Sequence, residues 1–120
     1  MKTFVLTYVY ITDDWRRLNV RDRHVHYLRR LTDTGSLLVA GRLADGQPPG
    51  AILVLLAESW DDARVVIEAD PFVTEGIVAA WTLVEWLPAL GLLAPGFDTE
   101  ASQPGDVDRN KTDERAASPE

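Results

Sequence analysis

The stretch of this 120-residue chain that decides its fold is residues 36–58, SLLVAGRLADGQPPGAILVLLAE. It holds two apolar runs, 36–43 and 51–58, each with the length and composition of a buried strand. The residues between them, ADGQPPG, are rich in glycine and proline, which favour turns. The stretch therefore predicts a β-hairpin in the middle of the chain.

The segment before the hairpin predicts a helix. Asn19 is a suitable N-cap, because its side chain can accept a hydrogen bond from a backbone amide of the first turn. We expect the helix to end near Thr34, since Gly35 follows at the place where a left-handed residue would close it. Residues 12–18 are polar and are expected to form the loop that leads into this helix.

A second helix is predicted after the hairpin. Ser59 with Asp62 three residues later has the pattern of a helix start. The helix should end at about Ala69, because the residue before Pro71 is pushed out of helical geometry. The hairpin is thus expected to be flanked by one helix on each side.

Strands are predicted at both ends of this arrangement. Residues 1–11 alternate with apolar side chains on both faces, and residues 77–87 form the last apolar strand. The order βαββαβ with right-handed crossovers gives an α+β, ferredoxin-like fold, a four-stranded antiparallel sheet with two helices on one face. The other face is apolar and uncovered, so we expect a homodimer in which two sheets pack face to face.

Length and composition set the outer limits of the prediction. Residues 1–90 suffice for one domain, and 91–120 are expected to be an extension, largely disordered after about residue 99 because apolar residues become scarce.

A net charge of −7 argues against a nucleic-acid partner. No apolar run approaches the ~20 residues of a membrane helix, and the alternating start lacks a signal-peptide cleavage site. We therefore expect a cytoplasmic protein without a membrane partner.

Two histidines on the first helix are the first candidates for chemistry. Helical periodicity places His24 on the apolar stripe and His26 on the polar side. Residues two apart on a helix point about 200° apart, so the two cannot chelate one metal ion. The chain has no cysteine, which excludes thiolate sites as well. We expect no metal site.

An inward histidine has two interpretations. It is either a satisfied core residue or a general acid/base, since imidazole takes and gives protons near neutrality. The second role needs a group that orients the ring, and a carboxylate does this well. Asp70, at a helix end beside Pro71, is the local candidate, although a plain cap or turn aspartate fits the sequence equally well.

Positive charge is concentrated in and just before the first predicted helix. Six arginines fall within fifteen residues: Arg16, Arg17, Arg21, Arg23, Arg29 and Arg30. They form either a solvated helix face or a positive rim that attracts a small anionic substrate.

Several short motifs follow one another along the chain: Arg21-x-x-His24-x-x-Tyr27-Leu28, Ala40-Gly41, Asp45-Gly46, Ser59-Trp60-Asp61-Asp62-Ala63, Asp70-Pro71-Phe72 and Trp86. With these motifs in this order, the chain resembles the YciI-like (YCII-related) family. One departure is Arg42, where the family usually has proline after Ala-Gly. Arg42 is either a binder of a carboxylate, phenolate or enolate oxygen or a surface replacement.

The resemblance implies a ferredoxin-like dimer with one pocket per subunit and a His24–Asp70 pair as its active site. The family's better understood relatives are lyase- or isomerase-like enzymes that act on small cyclic, often hydroxylated aromatic compounds without metal or organic cofactor. We therefore expect no cofactor, a small-molecule substrate and proton transfer by His24, in a setting of secondary metabolism or biosynthesis.

Further residues are expected to act around the His24–Asp70 pair. Arg42 or Arg21 would hold a developing oxyanion. Aromatic residues would line the pocket or simply belong to the core, among them Tyr8, Tyr10, Tyr27, Phe72, Trp81 and Trp86. Two other functions stay open: a non-catalytic ligand-binding or accessory dimer module, and a cofactor-free oxygenase, the latter by analogy of fold alone.

Overall fold

The computed structural model describes residues 1–97, which contain one sheet and the helices packed on it. The elements, in chain order, are β1 Lys2–Tyr10, α1 Asp14–Asp33, β2 Leu37–Arg42, β3 Gly50–Ala57, α2 Trp60–Glu68, α3 Pro71–Thr74 and β4 Val78–Glu85. A short 3-10 turn, Ala94–Gly96, follows the last strand. The disorder expected after about residue 99 lies outside the described residues.

The four strands are ordered β2-β3-β1-β4, and every pairing is antiparallel. This confirms the predicted ferredoxin-like α+β fold. In the register, Leu6 of β1 lies between Leu53 of β3 and Leu83 of β4. All three are buried in the core between the sheet and the helices. The alternation in the sequence thus separates the two faces of β1, and the structure shows that the helices cover the face of Leu6.

The start of α1 corrects the sequence prediction. The helix begins at Asp14, not at Asn19, and its N-cap is Asp13, whose carboxylate accepts a hydrogen bond from the Arg16 amide at 3.2 Å. Asp14 adds a negative charge to the first turn, where the helix dipole favours it. The predicted loop over 12–18 is therefore wrong from residue 14 onward, and α1 gains a full turn that carries Arg17.

The other helix ends agree better with the sequence. Gly35 has φ +82°, the left-handed conformation expected after α1. Ser59 caps α2, and its hydroxyl accepts a hydrogen bond from the Asp62 amide at 3.1 Å. The predicted stop at Asp70 does end α2, but the same residue also begins the one-turn helix α3, which the sequence analysis missed.

The second face of the sheet is apolar and uncovered by the described residues. The register places together on this face Val5, Val39, Ile52, Val54 and Val84. Val39 is 60% exposed and Ile52 is 45% exposed. Beyond β4, Leu90, Leu92 and Leu93 are exposed, while the Phe97 ring packs edge-on against Trp86. None of the helices within residues 1–97 is long and apolar enough to cross a membrane.

Candidate active site

A cleft of about 540 Å³ opens between α1 and the helix-covered face of the sheet. Its lining includes Tyr10, Arg17, Arg21, His24, Arg42 and Phe72. Residues 17, 21, 24 and 28 of α1 all line it, as expected of positions three and four apart on one helix face. One side of the cleft is therefore formed by residues beside the apolar face of α1, and the other side by residues of the neighbouring strands.

His24 lies at the inner wall of this cleft and is 7% exposed. Its Nδ1 lies 2.8 Å from Oδ1 of Asp70, 46 residues later in the chain. A carboxylate can only accept here, so Nδ1 carries the proton and donates it. The other ring nitrogen, Nε2, makes no hydrogen bond within residues 1–97 and is the one left for a ligand in the cleft.

Asp70 is held in place by local chain geometry. It precedes Pro71, which favours the extended backbone it adopts (φ −69°, ψ 128°), and its Oδ1 accepts a hydrogen bond from the Phe72 amide at 2.9 Å. Proline at the first helical position suits the start of α3. The carboxylate is 1% exposed, so a capping residue of a four-residue helix is also the buried partner of His24.

Tyr8 provides the third donor to this carboxylate. Its hydroxyl donates to Oδ2 of Asp70 at 2.8 Å from the middle of β1. Burial, and then the neighbouring Asp70 charge, raise the pKa of Tyr8 well above its ordinary value of 10.0. Tyr8 is therefore protonated throughout the neutral range, and its position suits a fixed donor beneath the His24–Asp70 pair.

Aromatic rings fix the plane of the imidazole. The Phe72 ring stacks on His24 with centroids 3.8 Å apart and planes 2° apart. Tyr10 in turn meets Phe72 edge-on at 5.3 Å. Burial raises the pKa of Tyr10 to about 12, with Asp70 as the next contributor. With Nδ1 bound to Asp70 and one ring face covered, His24 has little freedom to rotate.

The arginines proposed from the sequence also reach the cleft. Arg21 lines it and makes no ion pair or hydrogen bond within the described part of the chain. Arg42 lines it from β2, while its guanidinium donates to Asp45 at 3.1 Å and is 71% exposed. Arg17, which was predicted to lie in a loop, joins them; recognising Asp13 as the N-cap of α1 would have placed it on the cleft face of the helix.

Tyr27, like Tyr8, Trp81 and Trp86, is placed outside the lining of the cleft, whereas Tyr10 and Phe72 belong to it. The Tyr27 hydroxyl donates to the Val66 carbonyl of α2 at 2.7 Å. Its pKa is raised, first by burial and then by the Asp70 charge. Among residues 1–97 there is no group of three or more histidine, cysteine, aspartate or glutamate side chains able to hold a metal ion.

The raised tyrosine pKa values lead to a prediction about stability. Tyr8 and Tyr10 ionise near pH 10 when unfolded but at higher pH when folded, so unfolding releases their protons above pH 10. Their stabilising contribution is complete below pH 10 and is lost as pH rises. Above pH 10, each tyrosine that is ionised in the unfolded chain but still protonated in the fold makes the free energy of unfolding fall by about 1.4 kcal/mol per pH unit.

We expect Tyr8→Phe to reduce this slope by about one proton between pH 10.5 and 11.5. Urea unfolding at a series of pH values measures it, and the difference between wild type and variant cancels the titration of other groups. Equal slopes for the two proteins would show that Tyr8 ionises in the fold as readily as in the unfolded chain.

Comparison with known proteins bears on this site. A family model described as the YCII-related domain matches residues 3–87. Among solved structures, the chain is similar to 5-chloro-2-hydroxyhydroquinone dehydrochlorinase from Burkholderia phenoliruptrix AC1100 in complex with 2,5-dihydroxybenzoquinone. The identity is 26% with a TM-score of 0.60, over 70% of this chain and 92% of the other. No curated protein has a significant sequence match to this chain.

Proposed function

This chain belongs to the YCII-related family, and we propose that it is a cofactor-independent enzyme that transfers protons on a small cyclic or aromatic polyoxygenated substrate. The reaction is of the lyase, isomerase or cyclase type. His24 is its general acid/base and Asp70 is the residue that orients His24. The substrate occupies the cleft between α1 and the sheet.

The observation that carries this proposal is the 2.8 Å contact of His24 Nδ1 with Asp70 in the wall of a cleft. With Nδ1 donating to Asp70, Nε2 carries the free lone pair, and this is the tautomer that a general base needs. Asp70 also offsets the positive charge that the imidazole acquires when it takes a proton. The Phe72 stack holds the ring in one orientation for that transfer.

In the proposed step, Nε2 of His24 takes a proton from a carbon or hydroxyl group of the substrate. The electron pair of the broken bond stays on the ring as an enolate or phenolate. In an elimination, that pair then forms a double bond while a leaving group departs with its own pair. In an isomerisation, the imidazolium returns the proton to another ring atom.

A guanidinium stabilises the negative oxygen formed in this step. Arg21 is suited to this role because it lines the cleft and has no partner within residues 1–97. Arg42 lines the cleft from β2, but its guanidinium already forms an ion pair with Asp45. One such donor contributes about 10²–10³-fold to a rate, so the proposed machinery suits an activated substrate.

The solved relative supports the substrate class. Its name describes loss of hydrogen chloride from a chlorinated hydroxyhydroquinone, and its bound ligand is a dihydroxybenzoquinone. Loss of hydrogen chloride combines removal of a proton with departure of chloride, which is the elimination described above. The reaction in the relative's name therefore includes the kind of proton removal that we propose for His24.

The test is turnover of defined trial compounds by wild type and by His24→Gln. Chloride release from 5-chloro-2-hydroxyhydroquinone reports elimination, and exchange of ring protons of 2-hydroxyhydroquinone with D₂O reports proton transfer. We expect wild type to catalyse at least one of them. A protein that binds these compounds and leaves them unchanged would contradict the proposal and favour a ligand-binding module.

We further propose that the enzyme is a homodimer whose subunits meet through the uncovered sheet faces. The support is the apolar character of that face, with Val39 60% exposed in the single chain. A monomer would keep a contiguous apolar patch in water, which soluble proteins usually avoid. A second copy offers the same surface and covers both at once.

Val39→Asp is expected to convert the dimer to a monomer in sedimentation velocity. A charge desolvated in an apolar interface costs several kcal/mol. Val65→Asp on α2 is the matched control, because Val65 is also 60% exposed and lies away from the sheet face. If Val39→Asp remained a dimer, the sheet face would not be the interface.

A further inference from the structure

The charge of the cleft wall differs in sign from that of the chain. The formal net charge is −7, yet three arginines line the cleft and no carboxylate does. Asp70 lies behind His24 and is 1% exposed. Asp14 and Asp45 pair with two of these arginines from outside the lining, so among the described residues the unpaired positive charge of the cleft is that of Arg21. This charge favours an anionic ligand.

Two of these arginines are arranged as a row with His24. Arg17, Arg21 and His24 lie four and three positions apart, on the same face of α1. At 1.5 Å per residue, Arg21 is about 5 Å and Arg17 about 10 Å along the helix from His24. This span is comparable to an aromatic ring that carries one substituent.

Arg17 is positioned by its neighbours. One terminal nitrogen, Nη2, donates to Asp14 at 2.6 Å, and the guanidinium carbon lies 5.8 Å from the centroid of the Tyr10 ring. The second, Nη1, is buried and has no hydrogen-bond partner within residues 1–97. A buried donor without a partner is costly, and this cost favours a rotation of the guanidinium that brings Nη1 to an anion bound in the cleft.

Arg21 completes the pair from one turn further along. Of the three cleft arginines, Arg17 bonds Asp14 and Arg42 bonds Asp45, whereas Arg21 bonds no described side chain. A guanidinium presents two parallel N–H groups that match the two oxygens of a carboxylate. Arg21 can therefore give its full donor set to a ligand.

From this arrangement we infer that Arg17 and Arg21 form a carboxylate-binding subsite, and that the substrate is an aromatic or cyclic acid. Its carboxylate binds to the two guanidiniums, and its ring extends along α1 toward Nε2 of His24. This inference rests on the proposed function for the direction of the ring, but the subsite itself is defined by binding alone. It assigns Arg21 to the carboxylate, so Arg42 is the cleft guanidinium left to stabilise the developing oxygen anion, and Arg17 and Arg21 are the residues that set substrate specificity.

The test uses 2,5-dihydroxybenzoate and its methyl ester as probes, with calorimetry of the full chain. The two probes have the same ring, and only the first carries the carboxylate. We expect the acid to bind at least 10-fold more tightly than the ester, because a hydrogen bond to a charged group is worth more than one to a neutral group. The preference should shrink as salt is raised.

Arg21→Met should weaken binding of the acid by about 10- to 100-fold and leave the ester nearly unchanged. Because Arg21 holds no other described side chain, this variant should fold normally, whereas Arg17→Met also releases Asp14. Arg29→Met is the matched control, since Arg29 is an exposed arginine of the same helix outside the cleft. Circular dichroism confirms the fold of each variant.

The inference would be overturned if the acid and the ester bound alike, if the acid did not bind, or if Arg21→Met and Arg29→Met behaved the same. These outcomes are separate from failure of the proposed function. A protein that loses turnover on replacement of His24 but shows no preference for the acid keeps its chemistry and lacks the subsite. A protein that prefers the acid but transfers no proton has the subsite without the chemistry.

Discussion

His24→Gln is expected to lower the turnover of a trial substrate by about 10²–10⁴-fold, the range that a positioned general acid/base contributes. Glutamine is similar in length, and its amide can still donate to Asp70. It has no nitrogen that takes a proton near neutral pH. The loss should therefore appear in the chemical step, with a smaller change in KM.

The matched control is His26→Gln. His26 is on the same helix two residues later and is exposed, so its replacement should leave the rate within about 2-fold. Folding of both variants is verified by thermal unfolding and circular dichroism. If folded His24→Gln retained the wild-type rate, His24 would be a structural residue of the cleft wall and the acid/base role would be wrong.

The fold was largely predictable because its signals are local. The alternation of 1–11, the turn-rich 44–50 and the Ser59 cap each act within a few residues, and the right-handed crossover rule then leaves one arrangement. The error at α1 has a physical cause. The first buried residue of that helix is Val20, and Trp15 and Leu18 before it are 74% and 60% exposed. Without a buried stripe, the first turn gives no periodic signal.

The site was predictable only in part, because its contacts join distant segments. Periodicity gave the direction of His24, but its hydrogen bond reaches Asp70 across 46 residues, and that of Tyr8 reaches the same carboxylate across 62. No local pattern determines such a pairing. Its place at a helix end made Asp70 a candidate and the resemblance to the family favoured it, while the donation from Tyr8 required the register of β1 against its neighbours. The place of Arg17 was missed for the same reason as the helix start.

Asp70 should be as important for stability as for function, because three donors converge on its carboxylate. His24 Nδ1 and the Phe72 amide lie 2.8 and 2.9 Å from Oδ1, and the Tyr8 hydroxyl lies 2.8 Å from Oδ2. Asp70→Ala leaves all three without an acceptor in a place that is closed to water. Each stranded buried donor costs about 1–3 kcal/mol.

Asp70→Ala is therefore expected to lower the free energy of unfolding by about 3–5 kcal/mol, a large part of the 5–15 kcal/mol typical of a domain. Urea unfolding near pH 7 measures it. Asp22→Ala is the control: Asp22 is exposed on α1, and its loss should cost no more than about 0.5 kcal/mol. Comparable midpoints for the two variants would show that the Asp70 contacts contribute little to stability.

A double-mutant cycle with Tyr8→Phe separates the donors. In the wild type, Tyr8→Phe removes a hydroxyl that is paired with Asp70, so it should destabilise the fold by about 1–2 kcal/mol. In the Asp70→Ala background, it removes a hydroxyl that has already lost its acceptor, so its cost should vanish or change sign. The expected coupling between the two residues is about 1–3 kcal/mol. Additive effects would mean that Tyr8 contributes through the packing of its ring alone, and the carboxylate would then serve only His24 and the start of α3.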